Sequence, residues 1–152
     1  LKDNGVVVAD GWETAYYTNF SASSGQGPQP MVVSYASSPA AEVVFASEPL
    51  TESPTASIVA SDMCFRQIEF VGILKNGQNR DLAEKFVDFM LGKQFQEDMP
   101  LNMFVYPVNQ TAQLPEVFTQ YAQVADRPAS ITYEDIAANR DSWIEAWAEV
   151  MK

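Results

Sequence analysis

Apolar positions along the chain fall into two periodicities. Val6-Val7-Val8-Ala9 is a continuous, mostly β-branched run after Gly5, the pattern of a strand buried on both faces of a parallel or mixed sheet. Asp10-Gly11 closes it, and Trp12, Ala15, Tyr16 and Phe20 then recur three and four residues apart, which predicts a short helix. Met31–Ala36, Ser57–Ala60, Phe65–Leu74 and Met103–Val108 read as further extended segments. Helices are predicted over Ala40–Ala46, Asn79–Leu91 and Lys93–Glu97. In the second of these, Leu82, Phe86, Phe89 and Met90 share one face, and Gly92 follows as a C-cap. A last helix opens at Thr132-Tyr133-Glu134-Asp135, a capping box with Asp in the usual Glu position. Ile136, Trp143, Ile144, Trp147 and Met151 form its apolar face. Strands alternating with helices predict an α/β fold.

The connections carry their own signals. Ser, Gly, Gln and Pro dominate residues 21–30, a composition that makes a surface loop rather than a core. The Ser-, Ala-, Pro- and Glu-rich residues 37–56 suit a crossover or hinge.

Composition narrows the chemistry. With 47% hydrophobic and 12% aromatic residues, 152 residues suffice for a packed domain. Nine Lys and Arg against twenty Asp and Glu leave a formal net charge of −11, which opposes nucleic-acid and anionic-lipid partners and favours a cation, though acidity for solubility has the same appearance. The chain has no His, which removes the commonest general base and metal ligand and every Ser-His or Cys-His dyad. Cys64 alone can form no internal disulfide or multi-cysteine metal site, and its Ile58-Val59-Ala60 and Phe65 neighbours suit a small buried hydrophobe. No GxGxxG, P-loop, GxSxG or HExxH motif occurs. The acidic pairs Glu97/Asp98 and Glu134/Asp135 suit solvated helix ends better than glycosidase acids. No stretch approaches the roughly 20 apolar residues of a membrane span, and Leu1-Lys2-Asp3-Asn4-Gly5 lacks the marks of a signal peptide. The expectation is a non-enzymatic protein without cofactor or metal.

Three segments could meet a ligand. Trp12 stands at a strand-to-helix junction, where α/β sheets present crevices, although packing of the helix on the sheet would use the same residue. Ser34-Tyr35-Ala36-Ser37-Ser38-Pro39 sets a phenol and hydroxyls at a strand end, suited to a polar ligand or to a Ser-rich turn. Phe104 and Tyr106, near Pro107, could stack on a flat ring or a cation, or fill the core.

At these segments the chain resembles the thiamine-binding proteins of ABC importers, in the two-lobed type II periplasmic-binding-protein class. The residues that carry the resemblance are Gly11-Trp12-Glu13-Thr14-Ala15-Tyr16, Val33-Ser34-Tyr35 with Ser37-Ser38-Pro39-Ala40, and Ala83-Glu84-Lys85-Phe86 with Asp88-Phe89-Met90. Tyr106-Pro107-Val108 and Ala138-Asn139-Arg140-Asp141-Ser142-Trp143-Ile144 complete them. The resemblance covers the C-terminal half of such a protein, whose length is about twice this one by two-domain sizing, and implies residues 1–36 as part of the C-terminal lobe, 37–56 as crossover and hinge, and 57–152 as the remaining segments of the two-lobed fold including the C-terminal helix. It implies capture of thiamine or its phosphates, delivery to a membrane ABC permease, and an extracytoplasmic location in the periplasm or as a surface lipoprotein. It further implies that Trp12 and Tyr35 are aromatic ligand contacts, that Ser34, Ser37 and Ser38 border the ligand, and that Phe104, backed by Tyr106, encloses it. Ala41 departs from the pattern where relatives can carry an aromatic residue, and the 21–30 loop is longer than the pattern. The alternatives are an iron(III)-binding protein of the same fold class, for which only one tyrosine stands near position 35, and an interaction domain without a ligand.

Overall fold

The computed structural model describes residues 1–22 and 27–151. They divide into two units: Leu1–Ser34, Ala60–Phe65 and Asp126–Lys152 form the first, and Tyr35–Val59 with Arg66–Ala125 the second.

In the first unit a 3-10 turn, Lys2–Asn4, ends at Gly5, whose φ of 72° lies in the left-handed region that glycine enters without steric cost. The predicted helix after Trp12 is present but wound differently. A π-helix spans Thr14–Asn19, entered by an Ala15 amide bond to the Gly11 carbonyl and left by a Phe20 amide bond to the Ala15 carbonyl. Widening the turn packs four aromatic side chains, Trp12, Tyr16, Tyr17 and Phe20, against one another, and Tyr16 and Phe20 are buried. The predicted 21–30 loop is tied at its ends by a Ser21 amide bond to the Gln29 carbonyl and a Gln29 amide bond to the Asn19 carbonyl. Its centre, residues 23–26, lies outside the described residues. Asp62, at a φ of 63°, pairs with Arg127 through both backbone and side chain, and the Ala129 amide bonds the Cys64 carbonyl. Cys64 is half-buried rather than enclosed.

Helix α5, Tyr133–Met151, completes this unit and opens as its sequence predicts. The Thr132 hydroxyl accepts the Asp135 amide proton at 3.1 Å while donating to the Asp135 carboxylate at 2.6 Å. The apolar face does not lie in a core: Trp143, Ile144 and Trp147 are exposed.

The second unit contains α1 (Ser38–Val44), α2 (Arg80–Leu91), α3 (Lys93–Met103) and α4 (Glu116–Tyr121), with α1 packed on α4 and α2 on α3. Helix α1 starts two residues before the predicted position because Pro39, which lacks an N–H to satisfy, fits the first turn. Gly92 follows α2 as predicted, but in an extended conformation, with its amide on the Phe89 carbonyl. A Cβ there would meet that carbonyl oxygen at 3.0 Å, so glycine suits the tight end of α2. Helix α3 continues past its predicted end at Glu97 and includes Pro100. The proline sits in the last turn, buried, and the Phe104 amide still finds the Pro100 carbonyl. Helix α4, not predicted, follows Pro115 and buries Phe118 to 1% exposure.

The expected strands form no ladders among the described residues, and the one expected over Met103–Val108 instead begins with the last residue of α3 and a left-handed Phe104. Among the described residues there is no β-strand, and the one bridge joins Phe20 and Gln29. The run Val6-Val7-Val8, predicted to be buried on both faces, is exposed. A local sequence pattern selects extended φ and ψ, whereas burial and ladder bonds come from a neighbouring strand, and none lies beside these segments here. Helix α2 shows the same uncovered surface. Leu82, Phe86 and Phe89 are exposed, and an open groove lined by Val71, Ile73, Leu74, Ala83, Phe86 and Val87 runs beside it.

Candidate functional site

The predicted ligand residues are distributed over both units. In the first, the π-helical turn brings Tyr16 beneath the Trp12 indole, ring centroids 5.0 Å apart and planes 25° from parallel. Tyr17 meets the same indole edge-on at 5.5 Å and 79°. Such offset and edge-to-face pairs are favoured because the positive edge of one ring meets the negative face of another. The indole N–H of Trp12 donates to the Ser34 hydroxyl at 2.9 Å, joining two predicted site residues 22 positions apart. Trp12 is 37% exposed, so a donor-satisfied indole with apolar ring surface stands at the protein's edge.

In the second unit, Tyr35, Ser37 and Ser38 surround the start of α1. The Ser38 amide bonds the Tyr35 carbonyl, and the Ser37 carbonyl accepts from the Ala40 and Ala41 amides. Tyr35 is 60% exposed, whereas Ser37 is buried at 6%. The segment after α1 is stapled down. The Ser53 hydroxyl donates to the Pro39 carbonyl, the Ser57 hydroxyl and the Gln123 amide both donate to the Ala36 carbonyl, and the Tyr121 hydroxyl donates to the Thr51 carbonyl.

Phe104 and Tyr106 stand together in the same unit. Phe104 takes a left-handed φ of 54° at the end of α3, and its ring meets Phe45 at 5.2 Å and Phe118 at 6.1 Å. Tyr106 lies edge-on to Phe118 at 5.5 Å. Its hydroxyl is shut off from solvent without a hydrogen-bond partner among the described residues, as is that of Thr55. Burial raises the Tyr106 phenol above its ordinary pKa of 10.0, because the phenolate would lose its hydration.

The residues that hold this aromatic wall escaped the sequence reading. Gln96, buried, donates from Nε2 to the Met90 carbonyl at 2.8 Å and accepts the Val108 amide at Oε1, also at 2.8 Å. Asn109 donates to the Leu91 carbonyl at 2.9 Å and accepts the Thr111 amide. Helices leave their last carbonyls without internal partners, so these two amides cap α2 while fixing the chain just after Tyr106-Pro107. Glu97 adds a bond from the Gln113 amide at 2.9 Å, a structural role for one of the acidic pairs. The only available signal was the amide side chains themselves, because their partners are 6 to 18 residues away.

Among the described residues no cluster of three or more His, Cys, Asp or Glu could hold a metal ion, and no helix is long and apolar enough to cross a membrane. Each unit by itself offers aromatic faces and hydroxyls, groups suited to reversible contact with a flat or cationic molecule.

Comparison with known proteins points the same way. The chain is 31% identical over 142 residues to a thiamine-binding periplasmic protein of Salmonella typhimurium, covering 93% of this chain and 40% of that protein. It is 28% identical over 150 residues to one from Brucella suis, covering 97% and 41%, and 29% identical over 147 residues to one from Escherichia coli, covering 97% and 42%. The chain thus spans about two fifths of the length of these relatives. No solved structure matches it significantly. A family model for the bacterial extracellular solute-binding proteins matches residues 7–126, a span that includes Trp12, the Ser34–Ser38 segment and the Phe104–Tyr106 wall, and the chain belongs to that family.

Proposed function

We propose that this chain is part of the solute-binding component of an ABC importer that captures thiamine or its phosphates outside the cytoplasm and passes them to a membrane permease without catalysing a reaction. The geometry that carries this reading is the Trp12 aromatic cluster, with its indole N–H already bonded and its ring at the surface. It is supported by the shared name of the relatives from three bacteria, each similar over more than nine tenths of this chain. Thiamine joins a flat aminopyrimidine to a permanently charged thiazolium. Aromatic faces attract both, and a net charge of −11 favours the cation. Nucleic acid is a poor partner for the same charge.

In this reading Trp12 and Tyr35 stack on the ligand, Ser34, Ser37 and Ser38 lie along its border, and Phe104 with Tyr106 closes one side. Residues 1–36 form part of the C-terminal lobe of a type II periplasmic-binding fold, 37–56 cross over and hinge, and 57–152 supply the remaining segments including the C-terminal helix. Ligand shifts the balance between open and closed arrangements, and the permease reads the closed one. Burial of a ligand from both sides contributes much of its affinity, so binding by these 152 residues alone is weaker than by a longer polypeptide that contains them.

The test is calorimetric titration of thiamine, its monophosphate and its diphosphate into this chain and into the complete natural polypeptide that carries it, with iron(III) citrate as the competing ligand. Tight binding of a thiamine form by the complete polypeptide and weaker binding by the chain are expected. Iron binding with silence toward every thiamine form would overturn the proposal in favour of the iron(III)-binding alternative.

A further inference from the structure

We infer that Ser34 is a positioning residue for the Trp12 indole, an assignment that rests on the thiamine reading and changes Ser34 from a ligand contact to a group acting through another. The indole N–H is a donor with no acceptor capacity, and it is directed at the Ser34 hydroxyl at 2.9 Å. A tryptophan at a surface has two side-chain torsions to settle before it can present one face to a ligand. Stacking on Tyr16 sets the plane of the ring, and the edge contact with Tyr17 limits its tilt. Neither prevents a half-turn about χ2, which keeps the ring in nearly the same plane but exchanges its two edges, because π contacts of this kind are tolerant of sliding. A hydrogen bond at the ring edge does prevent it, because bond strength falls steeply with misalignment.

The same bond decides what Trp12 can recognise. With its donor engaged by Ser34, the indole offers a ligand its π surface and not a hydrogen bond. That surface suits a flat heterocycle or a cation rather than a phosphate or carboxylate acceptor. The π-helical turn is part of the device, since it is the widened spacing after Trp12 that sets two tyrosines against a single indole.

The test compares Ser34→Thr, which keeps the hydroxyl, with Ser34→Val, which has nearly the same shape and lacks it, in the complete natural polypeptide. Ser34→Ala serves as a second hydroxyl-free variant if the valine perturbs folding. Two readouts are taken: the ultraviolet resonance Raman band that reports indole N–H hydrogen bonding, assigned by its loss in Trp12→Phe, and the Kd for thiamine by calorimetry. Ser34→Val and Ser34→Ala are expected to move the band to its unbonded position and weaken thiamine binding about three- to tenfold, the range for loss of one such bond. Ser34→Thr is expected to restore both. An unmoved band in Ser34→Val, wild-type affinity in that variant, or equal weakening by Thr and Val would overturn the assignment. Absence of thiamine binding by the unaltered protein would instead refute the thiamine reading, and the indole band would then decide by itself whether Ser34 holds Trp12.

Discussion

Replacing Gln96 with Met tests whether one buried amide holds the aromatic wall to the helices behind it. Methionine has nearly the same length and fills the same space, so the substitution removes hydrogen bonds while leaving little cavity. Two bonds of 2.8 Å are lost, from Nε2 to the Met90 carbonyl and from the Val108 amide to Oε1. A third contact, from the Asn109 amide at 3.4 Å, is too long to count for much. The orientation of the Gln96 amide is settled by its partners, because a backbone N–H can only donate and a carbonyl can only accept. What matters is what remains behind. The Met90 carbonyl has no partner within its helix once α2 stops at Leu91, and the Val108 amide belongs to no ladder. Stranding two part-buried backbone groups costs about 1–2 kcal/mol each, so local opening around residues 90 and 108 becomes easier by roughly 2–4 kcal/mol. Amide hydrogen exchange reads this directly: protection at Val108 is expected to fall by a factor of about 30 to 1,000. Exchange within the α5 amides, in the other unit, is expected to stay unchanged. Protection at Val108 within a factor of two of the wild type would refute the clamp.

The neighbouring aromatic residues behave differently from ordinary core positions. Tyr106→Phe removes a buried hydroxyl that has no partner among the described residues, so stability is expected to be unchanged or to rise by up to about 1 kcal/mol, checked by urea midpoints. Because burial holds the folded phenol's pKa above 10.0, the neutral form costs nothing extra below that pH, and stability falls as pH climbs from 10.0 through the folded value while the unfolded chain ionises first; Tyr106→Phe should flatten that alkaline fall in stability. At Phe104 the φ of 54° makes glycine the better truncation. Phe104→Ala and Phe104→Gly both lose the ring contacts with Phe45 and Phe118, yet the glycine variant should be the more stable by about 1 kcal/mol in matched denaturation curves, and the reverse order would refute a left-handed conformation there.

The elements legible in the sequence are those whose bonds are local. The helix over Arg80–Leu91 and the start of α5 at Thr132 were visible because helical hydrogen bonds and caps join residues three or four apart, and Pro, Gly and Thr mark the ends. The segments 6–9, 31–36 and 65–74 were legible as a strand pattern only, since ladder bonds and burial depend on a neighbouring strand and none forms beside them among the described residues. Trp12, Ser34 and the Phe104–Tyr106 pair were singled out from residue type and from resemblance to a family. The sequence did not announce the π-turn that gathers Tyr16 and Tyr17 on Trp12, since the three- and four-residue spacings of Trp12, Ala15, Tyr16 and Phe20 fit an ordinary α-helix.

By itself, then, the sequence determined the helix over Arg80–Leu91, the Thr132 cap of α5, the absence of histidine chemistry, the acidic charge and the family. Tertiary structure alone decided that Ser34 bonds Trp12, that Gln96 and Asn109 cap α2 beside the Tyr106 wall, and that Pro100 is accommodated inside α3. The physical reason is range: local bonds are written in neighbouring residues, whereas a bond across 12 or 22 positions exists only once folding has brought its donor and acceptor to within 3 Å.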